Sequence, residues 1–155
     1  MTTQPTVHAT AVLVGARALL IRGPAGSGKS RLALKLIEAA QAQVLRFARL
    51  VADDRVRLEP CHGRLLARVP DELAGLIEVR GLGIRRMAYE PVAVVGSIVD
   101  LAAADAQRLP DEPMQIEIAG LPLPRLAVAV NDDASPAVLS WLTTAPAHTI
   151  KVAEK

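Results

Sequence analysis

A glycine-rich stretch constrains this chain more than any other part of its sequence: Gly23-Pro24-Ala25-Gly26-Ser27-Gly28-Lys29-Ser30. It consists of glycine, four residues, then Gly-Lys-Ser, which is the pattern of a loop that binds nucleotide phosphates. Residues 18–21 precede it as a short apolar run that predicts a strand, and residues 31–38 follow with apolar side chains on one face of a predicted helix. Because strand, loop and helix stand in the required order, a glycine-rich turn that binds nothing is the weaker interpretation.

The residue types in this loop predict the binding of a nucleotide with Mg²⁺. Glycines let the backbone turn several N–H groups toward one anion, and the N-terminus of the following helix adds partial positive charge there. Lys29 can reach the β- and γ-phosphates, and the Ser30 hydroxyl can complete a Mg²⁺ site. We expect an exposed Lys29 that contributes little to packing. The predicted cofactor-binding residues are Gly23, Pro24, Ala25, Gly26, Ser27, Gly28, Lys29 and Ser30.

Length and composition narrow the class of protein. The 155 residues predict one domain, residues 1–155, with a core of Ala, Val, Leu and Ile, since apolar residues make up 51% and aromatic residues only 2%. A net charge of +2 is too small to indicate nucleic acid or a membrane surface as a partner. The single cysteine, Cys61, excludes an internal disulfide and is typical of a reducing cytoplasm.

The apolar pattern predicts more strands than helices. Glycine and proline mark irregular segments, including a loop over residues 80–84. One helix follows Ser30 to about residue 43, and a second runs to residue 143 with Ser135 as N-cap and Pro136 as its first residue. The predicted strands are residues 7–14, 18–21, 48–52, 56–59, 65–69, 76–79, 92–101, 114–118 and 126–130. With one clear strand–helix–strand unit, the expected class is α/β with few helices.

Two carboxylates, Asp53 and Asp54, follow the strand predicted over residues 48–52. In many phosphate-loop proteins one such Asp orients the Mg²⁺ ion. A neighbouring pair allows a division of labour, in which one carboxylate holds metal or water while the other accepts a hydroxyl proton. The alternative is an Asx-turn after a strand, which would be preferred in a chain without the glycine-rich loop.

Glu78 and Arg80 flank a valine, so in an extended segment their side chains point to the same side. A carboxylate and a guanidinium beside a glycine-containing loop suit a metal and a phosphate, and a solvent-facing salt bridge explains the spacing equally well. His8 lies on the first predicted strand. A lone histidine at such a position is by itself typical of a structural residue.

Together, several segments resemble the C-terminal catalytic domain of the HPr kinase/phosphorylase family. They are Val7-His8, the glycine-rich loop, Leu50-Val51-Ala52-Asp53-Asp54-Arg55-Val56 and Ile77-Glu78-Val79-Arg80-Gly81-Leu82-Gly83-Ile84. The last is similar to the family's signature segment. The resemblance covers residues 7–109 well and the remainder weakly. It implies a P-loop mixed sheet like that of phosphoenolpyruvate carboxykinase, with few helices, assembled in the family as a hexamer.

The resemblance also implies roles for single residues. His8 matches the family's active-site histidine by its distance from the loop, and Asp54 resembles the residue that deprotonates the acceptor serine of HPr. Glu78 is similar to the second metal ligand, and Arg108 matches an active-site arginine by position. The implied catalytic residues are His8, Lys29, Asp53, Asp54 and Arg108, and the implied metal ligands are Ser30 and Glu78.

The chain departs from the family pattern in two places. Because His8 already matches catalytic-domain sequence, we expect a short form without the family's separate N-terminal domain, similar to forms in some proteobacteria. The family's Arg-Pro-Gly-Arg-Asn motif should follow residues 126–130, where this chain has Asn131-Asp132-Asp133-Ala134. That motif is linked in the family to dephosphorylation and to contacts with HPr. Its replacement predicts a kinase with little or no phosphorylase activity.

The sequence thus predicts a cytoplasmic, ATP- and Mg²⁺-dependent serine protein kinase that acts on HPr or an HPr-like phosphocarrier. In this prediction Asp54 takes the serine proton, while Lys29, the loop amides and Mg²⁺ neutralise the developing charge. Two alternatives remain open on the residues alone. They are a small-molecule kinase on the same scaffold and a nucleotide-binding regulator without catalysis.

Overall fold

Strands outnumber helices in residues 5–147, the part of the chain that this computed structural model describes. The strands are β1 (Thr6–Val14), β2 (Arg17–Arg22), β3 (Ala48–Ala52), β4 (Arg55–Cys61), β5 (Arg64–Arg68), β6 (Leu76–Val79), β7 (Gly83–Arg86), β8 (Val92–Asp100), β9 (Met114–Ile118) and β10 (Leu121–Ala127). The helices are α1 (Lys29–Gln41), a single 3₁₀ turn (Asp71–Leu73) and α2 (Ala134–Thr143). The α/β class with few helices is confirmed. The predicted domain of residues 1–155 extends at both ends beyond the described residues.

One mixed sheet is built around the two longest strands, β1 and β8. β1 pairs antiparallel with β2 along one edge and with β3 and β4 along the other. β8 begins antiparallel to β5 and continues parallel to β2 and β10. The parallel strands β2, β8 and β10 therefore end at the same edge of the sheet, where Arg22 lies opposite Asp100 and Asp100 lies opposite Ala127.

Two hydrophobic clusters pack on opposite faces of this sheet. Because side chains alternate along a strand, Leu19 and Ile21 of β2 belong to the cluster under α1 and α2, whereas Leu20 belongs to the other. α1 contributes Leu32 and Leu36 to the first cluster, as its apolar spacing predicts. None of the helices in the described residues is long and apolar enough to cross a membrane.

The strand predicted over residues 126–130 starts earlier in the structure, as β10 at Leu121. Pro122 and Pro124 argued against a strand there, since proline lacks the N–H of a ladder hydrogen bond. Residues 121–124 pair only with β9, and β8 joins from Arg125 onward. One side of this segment is thus unpaired, which is where prolines are tolerated in sheets.

Two further boundaries differ from the prediction. Residues 80–84 are not wholly irregular, because β7 begins at Gly83 and forms a hairpin with β6. The N-cap of α2 is Asp133 rather than Ser135. The Asp133 carboxylate accepts hydrogen bonds from the backbone N–H of Ser135 at 3.0 Å and from its hydroxyl at 2.9 Å. An acceptor-only side chain ahead of the helix satisfies a free N–H there, so the helix begins earlier than predicted.

Candidate active site

The glycine-rich loop connects β2 to α1, as predicted. Gly28 and Gly23 are each required there for a different structural reason. Gly28 has φ of 100° as it leads into the helix, a conformation that other residues rarely adopt. At Gly23 the reason is space, because an added Cβ would lie 2.5 Å from the Ser27 hydroxyl and 3.1 Å from the Leu101 Cβ. The loop is thus packed against the segment that follows β8.

Lys29 is buried, with 7% of its surface exposed, which corrects the prediction of an exposed lysine. Its ammonium folds back over the loop and donates hydrogen bonds to the carbonyls of Gly23 at 2.8 Å and Pro24 at 3.1 Å. Burial lowers the pKa of Lys29, and the nearby carboxylates of Asp54 and Asp53 act in the opposite direction. The cation is therefore held inside the loop by the loop's own carbonyls.

The carboxylate of Asp53 joins several elements beneath the loop. Its Oδ1 accepts hydrogen bonds from the hydroxyls of Thr10 at 2.9 Å and Ser30 at 2.6 Å. Its Oδ2 accepts one from the backbone N–H of Glu78 at 3.1 Å. Asp53 is 6% exposed, so these bonds satisfy a carboxylate that burial would otherwise penalise. The predicted metal ligands Ser30 and Glu78 thus flank one fixed carboxylate.

Asp54 differs from its neighbour in both exposure and contacts. Its φ of 69° is left-handed, a conformation that Asp tolerates, and it turns the chain from β3 into β4. The side chain is 64% exposed, and its Oδ1 lies 2.7 Å from Nε2 of His8 on β1. His8 is therefore not isolated, because the fold places its imidazole against Asp54.

These groups line one cavity of about 650 Å³. Its residues come from the loop and α1, from β1, from the turn after β3 and from the β6–β7 hairpin, where Glu78 and Arg80 both face it. The predicted residues that line it are His8, Ala25, Gly26, Ser27, Gly28, Lys29, Ser30, Asp53, Asp54, Glu78 and Arg80. Among the described residues, no cluster of three or more His, Cys, Asp or Glu has metal-binding geometry. Ser30, Asp53 and Glu78 supply oxygen donors that line this cavity.

Arg108 does not join this group. It is exposed in the segment between β8 and β9, and it is not among the residues that line the cavity. The predicted grouping of Arg108 with the other catalytic residues is therefore not found in the described part of the chain.

An ion-pair network fixes the strand ends beneath the loop. Arg22, at the end of β2, donates two hydrogen bonds of 2.7 Å to Asp100, at the end of β8. Arg125 of β10 also donates to Asp100 and reaches Asp105 with its remaining nitrogens. Burial raises the pKa of Asp100, but hydrogen bonds from Arg22 and Arg125 outweigh it and hold the pKa below its usual range. Arg125 is thereby committed to two carboxylates and does not face the cavity.

A second cavity, of about 410 Å³, lies on the other side of the glycine-rich loop. The two cavities share Gly26, Ser27, Gly28 and Arg31. Asn131, Asp132 and Asp133 line the second cavity and not the first. The segment that departs from the family motif is thus separated by the loop from Asp54 and Glu78.

Sequence reasoning missed two parts of this site. Thr10 carries no recognisable motif, and only its buried bond to Asp53 shows that it belongs to the site. The second cavity was missed because its lining combines α1, the segment after β8 and the segment after β10. For Thr10, a hydroxyl on an otherwise apolar strand two residues after His8 was the available signal.

Comparisons with known proteins bear on this geometry. Residues 1–148 match the family described as HPr Serine kinase C-terminal domain. This chain belongs to that family. The match extends well past residue 109, where the sequence resemblance was expected to weaken. The resemblance to the HPr kinase family is thus confirmed, over more of the chain than expected.

Individual proteins named HPr kinase/phosphorylase are also similar in sequence to this chain. The HPr kinase/phosphorylase of Geobacillus thermodenitrificans is 32% identical over 145 residues, which cover 86% of this chain and 45% of that protein. That of Bordetella pertussis is 35% identical over 146 residues, again 86% of this chain and 45% of the relative. The chain therefore spans less than half the length of these curated relatives.

A solved structure has the same fold. The Hpr(Ser) kinase/phosphatase from Coxiella burnetii matches with a TM-score of 0.73, over 90% of this chain and 94% of that one. Its sequence identity is 24%, so this likeness bears on the fold alone. The sheet-dominated α/β architecture with few helices is thus shared with a protein of the HPr kinase type.

Proposed function

We propose that this chain is an ATP- and Mg²⁺-dependent kinase that phosphorylates a serine of HPr or of an HPr-like phosphocarrier in the cytoplasm. Membership of the family supports the activity, and the glycine loop supports the assignment to a P-loop sheet of the phosphoenolpyruvate carboxykinase type. The observation that carries the proposal is the exposed Asp54, held by His8 at 2.7 Å in the same cavity as Lys29 and Ser30.

In the proposed reaction the acceptor hydroxyl enters the open side of the cavity, where Asp54 is exposed. Asp54 takes the hydroxyl proton as the oxygen attacks the γ-phosphorus of ATP, and the bond to the β,γ-bridging oxygen breaks to release ADP. His8 holds the Asp54 carboxylate through Nε2 and so fixes the direction of its free oxygen. General-base catalysis by a positioned side chain supplies about 10²–10⁴-fold in rate.

Lys29 and the loop bind the phosphates in this scheme. The ammonium exchanges the carbonyls of Gly23 and Pro24 for phosphate oxygens, and the backbone N–H groups at the start of α1 face the same anion. Ser30, Asp53 and Glu78 all line the cavity, and the Ser30 hydroxyl contacts the Asp53 carboxylate. They offer oxygen donors of the kind that Mg²⁺ prefers. The ion would screen the charge of the triphosphate. These residues therefore fit the proposed cofactor.

The test uses purified protein, γ-labelled ATP with Mg²⁺, and a panel of phosphocarriers. We expect label on a serine of an HPr-like protein. Asp54→Asn should retain ATP binding and lose at least about 10²-fold in transfer, because the amide cannot accept the proton. Asp111→Asn, at an exposed position away from both cavities, is the matched control and should transfer like the unmodified protein.

Other outcomes would select the alternatives. Label on a small molecule and on no carrier would indicate a small-molecule kinase. ATP binding with no transfer to any acceptor would indicate a regulator. Loss of ATP binding in Asp54→Asn would give this carboxylate a metal role in place of the proposed role as base.

A further inference from the structure

The cavity of about 410 Å³ adjoins the first cavity across the glycine-rich loop. A ligand longer than the first cavity could therefore extend into it. Its lining shares Gly26, Ser27 and Gly28 with the first cavity, so the loop forms a wall between the two. It opens at the ends of β2, β8 and β10, which run parallel. In open α/β sheets, ligands bind outside the carboxyl ends of such strands.

The floor of this cavity is apolar and almost fully buried. Leu32, Leu101 and Val128 line it and are at most 7% exposed. The backbone N–H of Leu101 donates to Arg22 at 2.8 Å and that of Val128 to Asp100 at 2.9 Å, so these residues extend the ladder of the sheet. An apolar, preformed floor suits a flat ring system.

The charges around the rim balance one another. Arg31 and Lys35 face Asp132 and Asp133, giving two cations and two anions. Lys35 lies 3.3 Å from Asp133, which also caps α2, so both are engaged within the protein. An anionic ligand group would gain little electrostatic stabilisation from a rim whose charges already balance. The cavity is therefore better suited to the uncharged part of a ligand than to its phosphates.

Asp132 is the free acceptor of this rim. It is exposed and lines the cavity. Its backbone N–H donates to the Ala129 carbonyl at 3.2 Å, whereas its carboxylate makes no hydrogen bond or ion pair within the described residues. A carboxylate accepts hydrogen bonds at both oxygens, which matches a pair of neighbouring hydroxyls. The same chemistry binds ribose hydroxyls in dinucleotide-binding folds.

We propose that this second cavity binds the nucleoside of ATP, with the base on the apolar floor and the ribose hydroxyls on Asp132. The proposal rests on the proposed function, because it requires that the phosphates bind Lys29 on the other side of the loop. It assigns residues 128–135 to the nucleotide.

The test compares two ligands that share a phosphate chain. Binding of ATP and of inorganic tripolyphosphate, each with Mg²⁺, is measured by calorimetry for the unmodified protein and for Val130→Trp. Val130 is 65% exposed and lines the cavity, so an indole there occupies the space without disturbing the core. Val44→Trp is the matched control, since Val44 is 58% exposed and lines neither cavity.

We expect Val130→Trp to weaken ATP binding at least tenfold and to leave tripolyphosphate binding unchanged, whereas Val44→Trp changes neither. Unchanged ATP affinity, or equal weakening of both ligands, would overturn the nucleoside assignment. Impaired phosphorylation of the carrier with normal ATP binding would also overturn it and assign the cavity to the protein substrate. If the unmodified protein bound neither ligand, the proposed function itself would fail.

A second measurement concerns Asp132. ATP should bind the unmodified protein about tenfold more tightly than 2′,3′-dideoxy-ATP, and Asp132→Asn should remove most of that preference while tripolyphosphate binds as before. An unaltered preference in Asp132→Asn would contradict the assignment of this carboxylate to the ribose.

Discussion

The buried hydroxyl of Thr10 on β1 donates a hydrogen bond of 2.9 Å to the carboxylate of Asp53, which follows β3 and lies 43 positions later in the sequence. The same carboxylate oxygen accepts the Ser30 hydroxyl at the start of α1. One oxygen atom thus joins β1, the turn after β3 and the start of α1. The orientation of Asp53 is therefore set by the sheet as well as by the loop.

Thr10→Val tests this relationship, because it removes the donor and keeps a similar shape. We expect the Mg²⁺ concentration for half-maximal phosphotransfer to rise severalfold and the free energy of unfolding to fall by about 1 kcal/mol. Thr10→Ser keeps the hydroxyl and should restore the Mg²⁺ dependence. If both variants had the Mg²⁺ dependence of the unmodified protein, the bond would serve packing alone.

Lys29 calls for two substitutions, because its side chain is buried and also carries the charge. Lys29→Met keeps most of the aliphatic stem, so we expect at least about 10²-fold loss of phosphotransfer, with unfolding by denaturant little changed. Lys29→Ala should lose the same activity and also unfold at lower denaturant concentration. Phosphotransfer by Lys29→Met at the unmodified rate would remove this lysine from the mechanism.

We expect the forward reaction to be at least about tenfold faster than phosphorolysis, because attack by phosphate on phosphoserine brings two anions together in a site of low effective dielectric. Arg125 is bound to Asp100 and Asp105, which leaves Arg31 and Arg80 as the arginines that line the first cavity. The measurement is pyrophosphate release from seryl-phosphorylated HPr at millimolar phosphate, beside the forward rate. Comparable rates would show that Arg31 and Arg80 suffice, and Arg80→Gln would then slow the reverse reaction selectively.

Asp100 should make the stability of the fold depend on pH in the acid range. Its pKa is below the usual range in the folded chain, so its ion pairs stabilise the fold fully above the ordinary aspartate pKa. That contribution is lost as the pH falls through the lowered folded value. Asp100→Asn should lower the free energy of unfolding at neutral pH by about 2 kcal/mol, since the network is partly exposed, and flatten its fall at acid pH.

The matched control for this measurement is Asp111→Asn, in an exposed segment. Unfolding by urea at several pH values gives both curves. If Asp100→Asn and Asp111→Asn had the same acid dependence, the network at the strand ends would contribute nothing specific.

Much of the local structure could be predicted from sequence. The loop between β2 and α1, the strand Ala48–Ala52 and the hairpin of β4 and β5 all follow from spacing and turn residues that act over a few positions. Residue types in the loop also predicted a site there, and Lys29 and Ser30 both line the first cavity. The errors occurred where a neighbour changes a local preference, as where the unpaired side of β10 accommodates Pro122 and Pro124.

The sequence by itself determined the glycine-rich loop, the pair of carboxylates after β3 and the α/β class, since each depends on residues close together in the chain. The tertiary structure decided how those parts are arranged around the cavities. Strand pairing brings His8 to Asp54 and Thr10 to Asp53, and the parallel ends of β2, β8 and β10 create the second cavity. Such contacts depend on register between distant segments, and register is a property of the whole sheet rather than of any one strand.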